Sequence, residues 1–195
     1  MSINLLLDRR PIIVALAGPN GAGKTTFYRA HIRPAGLRFV NADVITRELS
    51  LDPYSAMKLA DSLRRELVNQ RESFVFETVF SDPVGEKISF LRETAANGYT
   101  VLLCFIGISS PQVSQERVAM RVLQGGHDVP TDKLLTRYSR TLANLKTAIE
   151  DLPHVWIFDN DDLDTAFRLV AVYERGQTLE LHQPIPSWLR AALPK

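Results

Sequence analysis

Cysteine is almost missing from this chain: Cys104 is the single thiol in 195 residues, so no disulfide framework exists and the sequence suits a reducing compartment. Cys104 stands inside the apolar run Val101 to Ile108, where a small buried hydrophobe is expected. Long hydrophobic runs are missing too, and nothing approaches the roughly 18 uncharged apolar residues that a membrane-spanning helix needs. Met1 to Arg10 holds only the short apolar run Leu5 to Leu7 before Asp8, which predicts no export signal and a cytoplasmic location. Charge of one sign is not in excess: 23 Lys and Arg against 22 Asp and Glu leave a net charge of +1. Bulk electrostatics therefore call for neither nucleic acid nor a membrane. There is no internal repeat, no low-complexity tract and no His/Cys cluster with metal-ligand spacing.

What remains is 45% hydrophobic and 23% charged residues, the proportions of an ordinary globular protein. A chain of this size buries roughly 70% of its unfolded surface, so one domain over 1–195 is expected, with a core at 11–160 and a C-terminal hairpin and tail at 161–195. The run Ile12 to Ala17 reads as a strand buried on both faces, and a helix follows from Lys24 to about Ile32, halted before Pro34. Leu37 to Val40 is a second strand. Ala56, Leu59, Ala60, Leu63 and Leu67 recur at helical spacing behind Pro53, with Arg64 and Arg65 off the stripe. Ser73 to Val79 is a third strand, followed by a helix from about Val84 to Ala96 that Asn97 and Gly98 stop. Tyr99 to Ile108 is the fourth strand, and Pro111 opens a helix ending at Gly125 and Gly126. The next helix starts near Thr131 with Leu135, Tyr138, Leu142, Leu145 and Ile149 as its buried seam, and His154 to Phe158 is the fifth strand. Phe167 to Tyr173 and Thr178 to Leu181 flank Arg175 and Gly176 as a hairpin. Strands alternating with helices predict an α/β, doubly wound, mostly parallel five-stranded sheet with helices on both faces and a C-terminal β-hairpin. Ligands of such sheets bind beyond the carboxyl ends of the strands.

Gly18, Pro19, Asn20, Gly21, Ala22, Gly23, Lys24 and Thr25 satisfy G-x-x-x-x-G-K-[ST] between a predicted strand and a predicted helix, the context that gives this motif meaning. A P-loop NTPase fold is therefore expected. Glycines let the backbone curl so that successive N–H groups, from Gly18 through Asn20, Gly21, Ala22 and Gly23 to Thr26, face phosphate oxygens at a helix N-terminus. Lys24 is expected to reach the β/γ-phosphates of ATP, and the Thr25 hydroxyl to bind Mg²⁺. A turn that only joined strand to helix would need neither side chain. The motif alone does not separate a kinase from an ATPase or a GTPase.

The other strand ends are conspicuously polar: Asn41 and Asp43 after strand two, Glu77 and Thr78 on strand three, Asp159 and Asn160 after strand five. Asp43 is the choice for the base that takes the proton of an attacking hydroxyl, against the plainer role of helix N-cap. Glu77 carries a charge to the end of the apolar stretch Phe74 to Phe76, a placement that a ligand or cation offsets. Arg117 and Arg121, four residues apart on one helical face, repel by about 0.2 to 0.5 kcal/mol unless an anion lies between them. The segment Gln124 to Pro130 reads as a mobile loop in which His127 is more a turn residue than a proton donor, and Arg137 follows on the next helix. Arginine forks suit phosphate oxygens, against the plainer reading of a solvated basic face.

Taken together, "VALAGPNGAGKTT", "FVNADVI", "FVFETVF" and "ERVAMRVLQGGHDVP" resemble the zeta-toxin family of P-loop kinases in its short bacterial form, from about Ile12 to Asn160. The resemblance implies that Asp43 is the base for the acceptor hydroxyl, that Glu77 binds the substrate sugar, and that Thr78, which directly follows the glutamate where the better-known pattern inserts one residue, also touches substrate. It implies that Arg117 holds the ATP phosphates, with Arg121 and Arg137 both candidates for the second arginine. It further implies UDP-N-acetylglucosamine as acceptor and a small antitoxin protein as partner. The same loop resembles that of ABC-transporter ATPases, but no LSGGQ-like signature and no apolar run ending in Asp-Glu accompanies it. The sequence expectation is an ATP- and Mg²⁺-dependent small-molecule kinase with Asp43, Lys24 and Arg117 as catalytic residues and Asn160 near the nucleotide. The alternative is a P-loop ATPase that acts as a nucleotide-dependent switch.

Overall fold

Six consecutive apolar residues need cover on both faces, and in the computed structural model Ile12–Ala17 forms strand β1 with all six side chains buried. The structure describes residues 3–123, 125, 129–162, 164–190 and 192–193. The other strands are β2 (Arg38–Val40), β3 (Phe74–Thr78), β4 (Thr100–Gly107), β5 (His154–Asp159), β6 (Arg168–Glu174) and β7 (Gln177–Leu181), in the order β2-β3-β1-β4-β5-β6-β7. β1 through β5 pair in parallel and β6 and β7 run antiparallel, which makes this a mostly parallel α/β sheet. The expected hairpin is present, but it does not stand apart. β6 zips onto β5 with His154 opposite Glu174, so among the described residues the sheet has seven strands and not five.

Alternation along β1 divides the core into two layers. Ile13, Ala15 and Ala17 face α4 (Pro53–Asn69), α5 (Glu86–Ala96), α7 (Thr131–Asp151) and α8 (Ser187–Arg190), packing with Leu67, Leu91, Leu145, Ile149 and Trp188. Ile12, Val14 and Leu16 face the other side, with Leu6 of α1 (Ile3–Leu7), Phe27 of α2 (Lys24–Phe27) and Ile32. Each such fully buried side chain contributes about 1.5–3 kcal/mol of transfer free energy, so a charge at Val14 would leave the sheet without its central seam. Two further helices complete the fold, α3 (Ala42–Leu49) and α6 (Pro111–Leu123). Among the described residues no helix is long and apolar enough to cross a membrane.

Local chemistry explains where the elements differ from expectation. After Phe27 the helix widens into a π-wound turn, Tyr28–Ile32, and then tightens into a 3₁₀ turn, Arg33–Ala35, because Pro34 cannot continue an α-helical ladder. α5 begins at Glu86, since Gly85 takes a left-handed φ of 72° and Val84 is left in solvent. Asn41 caps α3, its Oδ1 accepting from the N–H groups of Asp43 (2.8 Å) and Val44 (3.3 Å), so Asp43 sits in the first turn and its carboxylate is not used as the cap. Two helical faces keep most of their expected seam and differ at its edge. Leu59 and Leu135 are exposed, while Ala56, Ala60, Arg64 and Leu67 of α4 and Leu134, Tyr138, Thr141 and Leu145 of α7 turn inward.

Candidate active site

Strand register brings the polar strand ends together. Leu16 pairs with Glu77 and Ala17 with Thr78, immediately before the phosphate loop, and Val40 pairs with Phe76, which sets Asn41 beside Glu77. The result is a hydrogen-bonded cluster: Glu77 Oε2 accepts from Thr25 Oγ1 at 2.8 Å and from Asn41 Nδ2 at 3.0 Å. Asn41 thus works with both ends of its amide, its oxygen capping α3 and its nitrogen holding the glutamate.

The phosphate loop is tight enough to need its glycines. Gly18 has φ of 143°, and a Cβ there would lie 2.1 Å from the Ile106 carbonyl oxygen; Gly23 has φ of 87°, and a Cβ there would lie 2.7 Å from Asn160 Nδ2. Lys24 curls back across the loop, donating to the carbonyls of Gly18 (3.0 Å) and Pro19 (2.9 Å). Burial pushes its pKa below the ordinary lysine value; Glu77 and then Asp43 pull it back, and Arg121 adds to the fall. A buried ammonium held only by carbonyls and the field of two acids gains from an incoming phosphate.

Supports for the loop come from two sides. Ser114 Oγ on α6 donates to Asn20 O at 2.7 Å, and Asn160 Nδ2 donates to Ala22 O at 2.9 Å. Arg117 donates through both terminal nitrogens, to Asn160 O (2.7 Å) and Asp161 O (2.8 Å), and the base of its side chain packs against Gly21. Asn160 is itself buried, with its amide nitrogen on Ala22 O, so the structure places it under the loop as a brace.

Above the loop opens a cleft of about 870 Å³, a size suited to a nucleotide and a small partner. Asn20, Gly21, Gly23, Lys24, Thr25, Thr26, Asp43, Glu77, Thr78, Arg117, Arg121 and Arg137 all line it, so the phosphate loop, both acids and the three arginines share one opening. Gly18 and Ala22 lie behind that wall. Thr78 Oγ1 accepts from the N–H of Phe80, a buried residue with a left-handed φ of 63°. α7 clamps this turn: Thr141 Oγ1 donates to Val79 O at 2.8 Å, and Asn144 Nδ2 to Phe80 O and Asp82 O at 2.9 and 3.0 Å. Of the loop before α7, Gln124, Gly126, His127 and Asp128 lie outside the described residues.

The sequence reading missed one end of the cleft. Arg64, expected off the buried stripe, is only 6% exposed; it faces the cleft because the Ala56–Ala60 face of α4 turns that way. Its guanidinium lies 4.8 Å from the centroid of the Phe76 ring and pairs with Asp61, whose Oδ1 also takes Lys87 Nζ at 2.8 Å. Spacing carried the signal, since Arg64 continues the row Ala56, Ala60 at intervals of four. Lys133 and Arg140 of α7 line the same opening.

The sequence profile of the family described as Zeta toxin matches residues 53–168, more than half of the chain. An uncharacterized protein of Haemophilus influenzae is 30% identical over 127 residues, covering 62% of this chain and 88% of that protein. Among solved structures, the AvrRxo1-ORF1:-ORF2 complex with ATP superposes with a TM-score of 0.70 at 20% identity, over 95% of this chain and 64% of that one. The chain therefore spans just under two thirds of that relative's length. A structure from the PezAT chromosomal toxin-antitoxin system of Streptococcus pneumoniae superposes with a TM-score of 0.60 at 16% identity, over 95% of this chain and 78% of that one. At these identities the two superpositions show the fold.

Proposed function

The chain belongs to the zeta toxin family, and from that premise we propose that it is a kinase-like phosphotransferase that transfers the γ-phosphate of ATP to a hydroxyl of a nucleotide-sugar, UDP-N-acetylglucosamine being the first acceptor to test. The single observation that carries this reading is the common cleft: Lys24, Thr25, Asp43, Glu77 and Arg117 line one opening at the carboxyl ends of the strands. A phosphate loop alone would serve a switch. A carboxylate base standing across the same cleft serves transfer to a second molecule.

In this reading Lys24 exchanges its loop carbonyls for the β- and γ-phosphate oxygens, and Arg117, already fixed by two carbonyls, holds charge on the γ-phosphate. Asp43 accepts the proton of the acceptor hydroxyl as that oxygen bonds to the γ-phosphorus and the bond to the bridging oxygen of ADP breaks. Glu77 and Thr78 bind the acceptor, and Arg121 and Arg137 reach the phosphate tail from α6 and α7. Thr25 Oγ1 and the Glu77 carboxylate, 2.8 Å apart, are an all-oxygen donor pair of the kind that suits Mg²⁺. Bound there, Mg²⁺ supplies neutralising charge to the phosphate oxygens. A small antitoxin protein is the proposed partner, in keeping with the family and with the toxin-antitoxin origin of the pneumococcal neighbour.

Phosphorus NMR of a reaction with ATP, Mg²⁺ and UDP-N-acetylglucosamine is the test. The expected result is a new phosphomonoester signal that Lys24→Ala abolishes and that Asp43→Asn slows by about 10²- to 10⁴-fold while ATP binding persists. A panel of sugars and nucleosides that yields only free phosphate would refute the transfer reading and leave the switch.

A further inference from the structure

On the α4 and α5 side of the cleft, a buried arginine and a part-buried lysine share one carboxylate oxygen. Arg64 of α4 and Lys87 of α5 both bind Asp61 Oδ1, and all three residues line the cleft. Arg64 is the most enclosed of the three, with 7% of its side chain exposed, Lys87 has 19%, and Asp61, at 37%, is the member nearest water. Phe76 underlies the arginine's guanidinium, 4.8 Å from the ring centroid. Asp61 Oδ1 is one acceptor shared by two cations that each carry several N–H donors, which leaves donors for a ligand in the cleft.

Asp82 and Glu86 line the same side, so carboxylates there number three against two cations, but the cleft as a whole carries eight Lys and Arg against five Asp and Glu. Burial, and then Arg64, hold the Lys87 pKa below the ordinary lysine value, against the pull of Asp82 and Glu86. Burial, with Arg65 acting in the same direction, brings Arg64 down to about 10. Asp82 Oδ1 is buried and has no hydrogen-bond partner among the described residues, so a donor is wanted beside the cations. A ligand that presents an oxyanion next to a hydroxyl or N–H group meets both demands.

We propose that Arg64 and Lys87 form an oxyanion subsite for the phosphate or carboxylate group of the acceptor, with Asp61 as the resident counter-ion that the acceptor displaces. Calling the ligand an acceptor rests on the kinase reading above; the subsite itself rests on the cluster. It makes an anionic group, rather than the sugar ring, the first determinant of which hydroxyl compound is phosphorylated. Phe76 immediately precedes Glu77, so the subsite lies one strand residue from the carboxylate that holds Thr25.

The test fills the phosphate loop first. Protein saturated with a non-hydrolysable ATP analogue and Mg²⁺ is titrated calorimetrically with inorganic pyrophosphate and, separately, with malonate; the two arms distinguish a phosphate-bearing from a carboxylate-bearing acceptor. Wild-type protein binds at least one of them, Lys87→Gln and Arg64→Gln weaken that binding by about tenfold or more, and Lys87→Arg retains it. Asp61→Asn, which removes the competing anion, tightens it by about threefold or more, a gain that damage to the fold cannot produce. Binding of neither anion to wild type, or equal binding to wild type and Lys87→Gln, overturns the proposal. If pyrophosphate binds with this pattern and no acceptor is ever phosphorylated, the subsite stands and the kinase reading falls. If an acceptor turns over with a KM that Lys87→Gln leaves unchanged, the kinase stands and the subsite falls.

Discussion

Gly107, the last residue of β4, carries no side chain because Trp188 occupies the space: a Cβ there would lie 2.2 Å from the indole ring. The indole is pinned, being 5% exposed with Nε1 donating to Asp159 Oδ1 at 2.9 Å and Phe105 at a centroid distance of 6.0 Å. Gly107→Ala therefore overpacks a site that cannot yield cheaply, at about 1–3 kcal/mol. Trp188→Ala removes a large buried aromatic and leaves the carboxylate of Asp159 one donor short, at about 3–5 kcal/mol. With an unfolding entropy of about 2.1 cal/mol/K per residue, this chain loses roughly 2.5 °C of Tm per kcal/mol. Gly107→Ala should then lower Tm by about 2–7 °C and Trp188→Ala by about 7–12 °C. The decisive measurement is the double variant in differential scanning calorimetry. Without the indole there is nothing for the new methyl to strike, so Gly107→Ala should cost nothing further and its restriction of the unfolded chain should give back a few tenths of a kcal/mol. Two losses that simply add would show that the glycine is there for some other reason. The site is relevant to function because Gly107 O also accepts from the Asn160 N–H at 2.9 Å, tying this corner to the residue that braces the phosphate loop.

Two further outcomes follow from buried polar groups. Asn160→Ala strips the Ala22 carbonyl, at a fully buried residue, of its amide donor, at a cost of about 1–3 kcal/mol; Tm should fall by about 2–7 °C and affinity for an ATP analogue, measured by fluorescence titration, should fall with it, whereas unchanged affinity would show that the loop holds its shape alone. His154, buried where β5 begins, has its pKa lowered by burial against the pull of Glu174, so folding disfavours its protonation. The stability that goes with a neutral His154 is present above the unfolded pKa of 6.5 and is lost as pH falls through the lower folded value. Wild-type Tm should consequently drop further than that of His154→Gln between about pH 7.5 and about pH 5, and parallel losses would refute the assignment.

How much of this site the sequence discloses depends on which backbone carries each residue. The strand-borne and loop-borne part was legible: Gly18 to Thr25, Asn41, Asp43 and Glu77 follow apolar runs, and parallel strands in one sheet must end on one rim, so reading the residue after each run reads the rim. Asn41 was legible as a rim residue but not as the cap of α3, because Asn and Asp are equally good caps and only the pairing of Val40 with Phe76 decides which amide meets Glu77. Helix-borne residues carry no such rule. The expected seams hold at Ala56, Ala60, Leu67, Tyr138 and Leu145, but at their edges Leu59 and Leu135 are exposed and Arg64 turns inward, because apolar periodicity follows hydrophobic residues and passes over an arginine that continues a row of small alanines.

The same division explains what the fold leaves adjustable. The phosphate loop is pinned from three directions, by Ile106 O against Gly18, by Ser114 of α6 on Asn20 O and by Asn160 on Ala22 O. The opposite wall is different in kind. Arg64, Asp61 and Lys87 come from α4 and α5, and their mutual contacts are ion pairs between side chains rather than bonds to the sheet backbone. Changing one of these three residues alters charge and reach at the acceptor end without touching the register that assembles Lys24, Thr25 and Glu77. Under the proposed function, a fold built this way keeps one nucleotide and can exchange acceptors. It follows that substitutions on α4 and α5 should alter the KM for acceptor and leave the KM for ATP in place, while substitutions at Asn160 or Ser114 should do the reverse, and steady-state kinetics with both substrates varied would expose any crossing of the two effects.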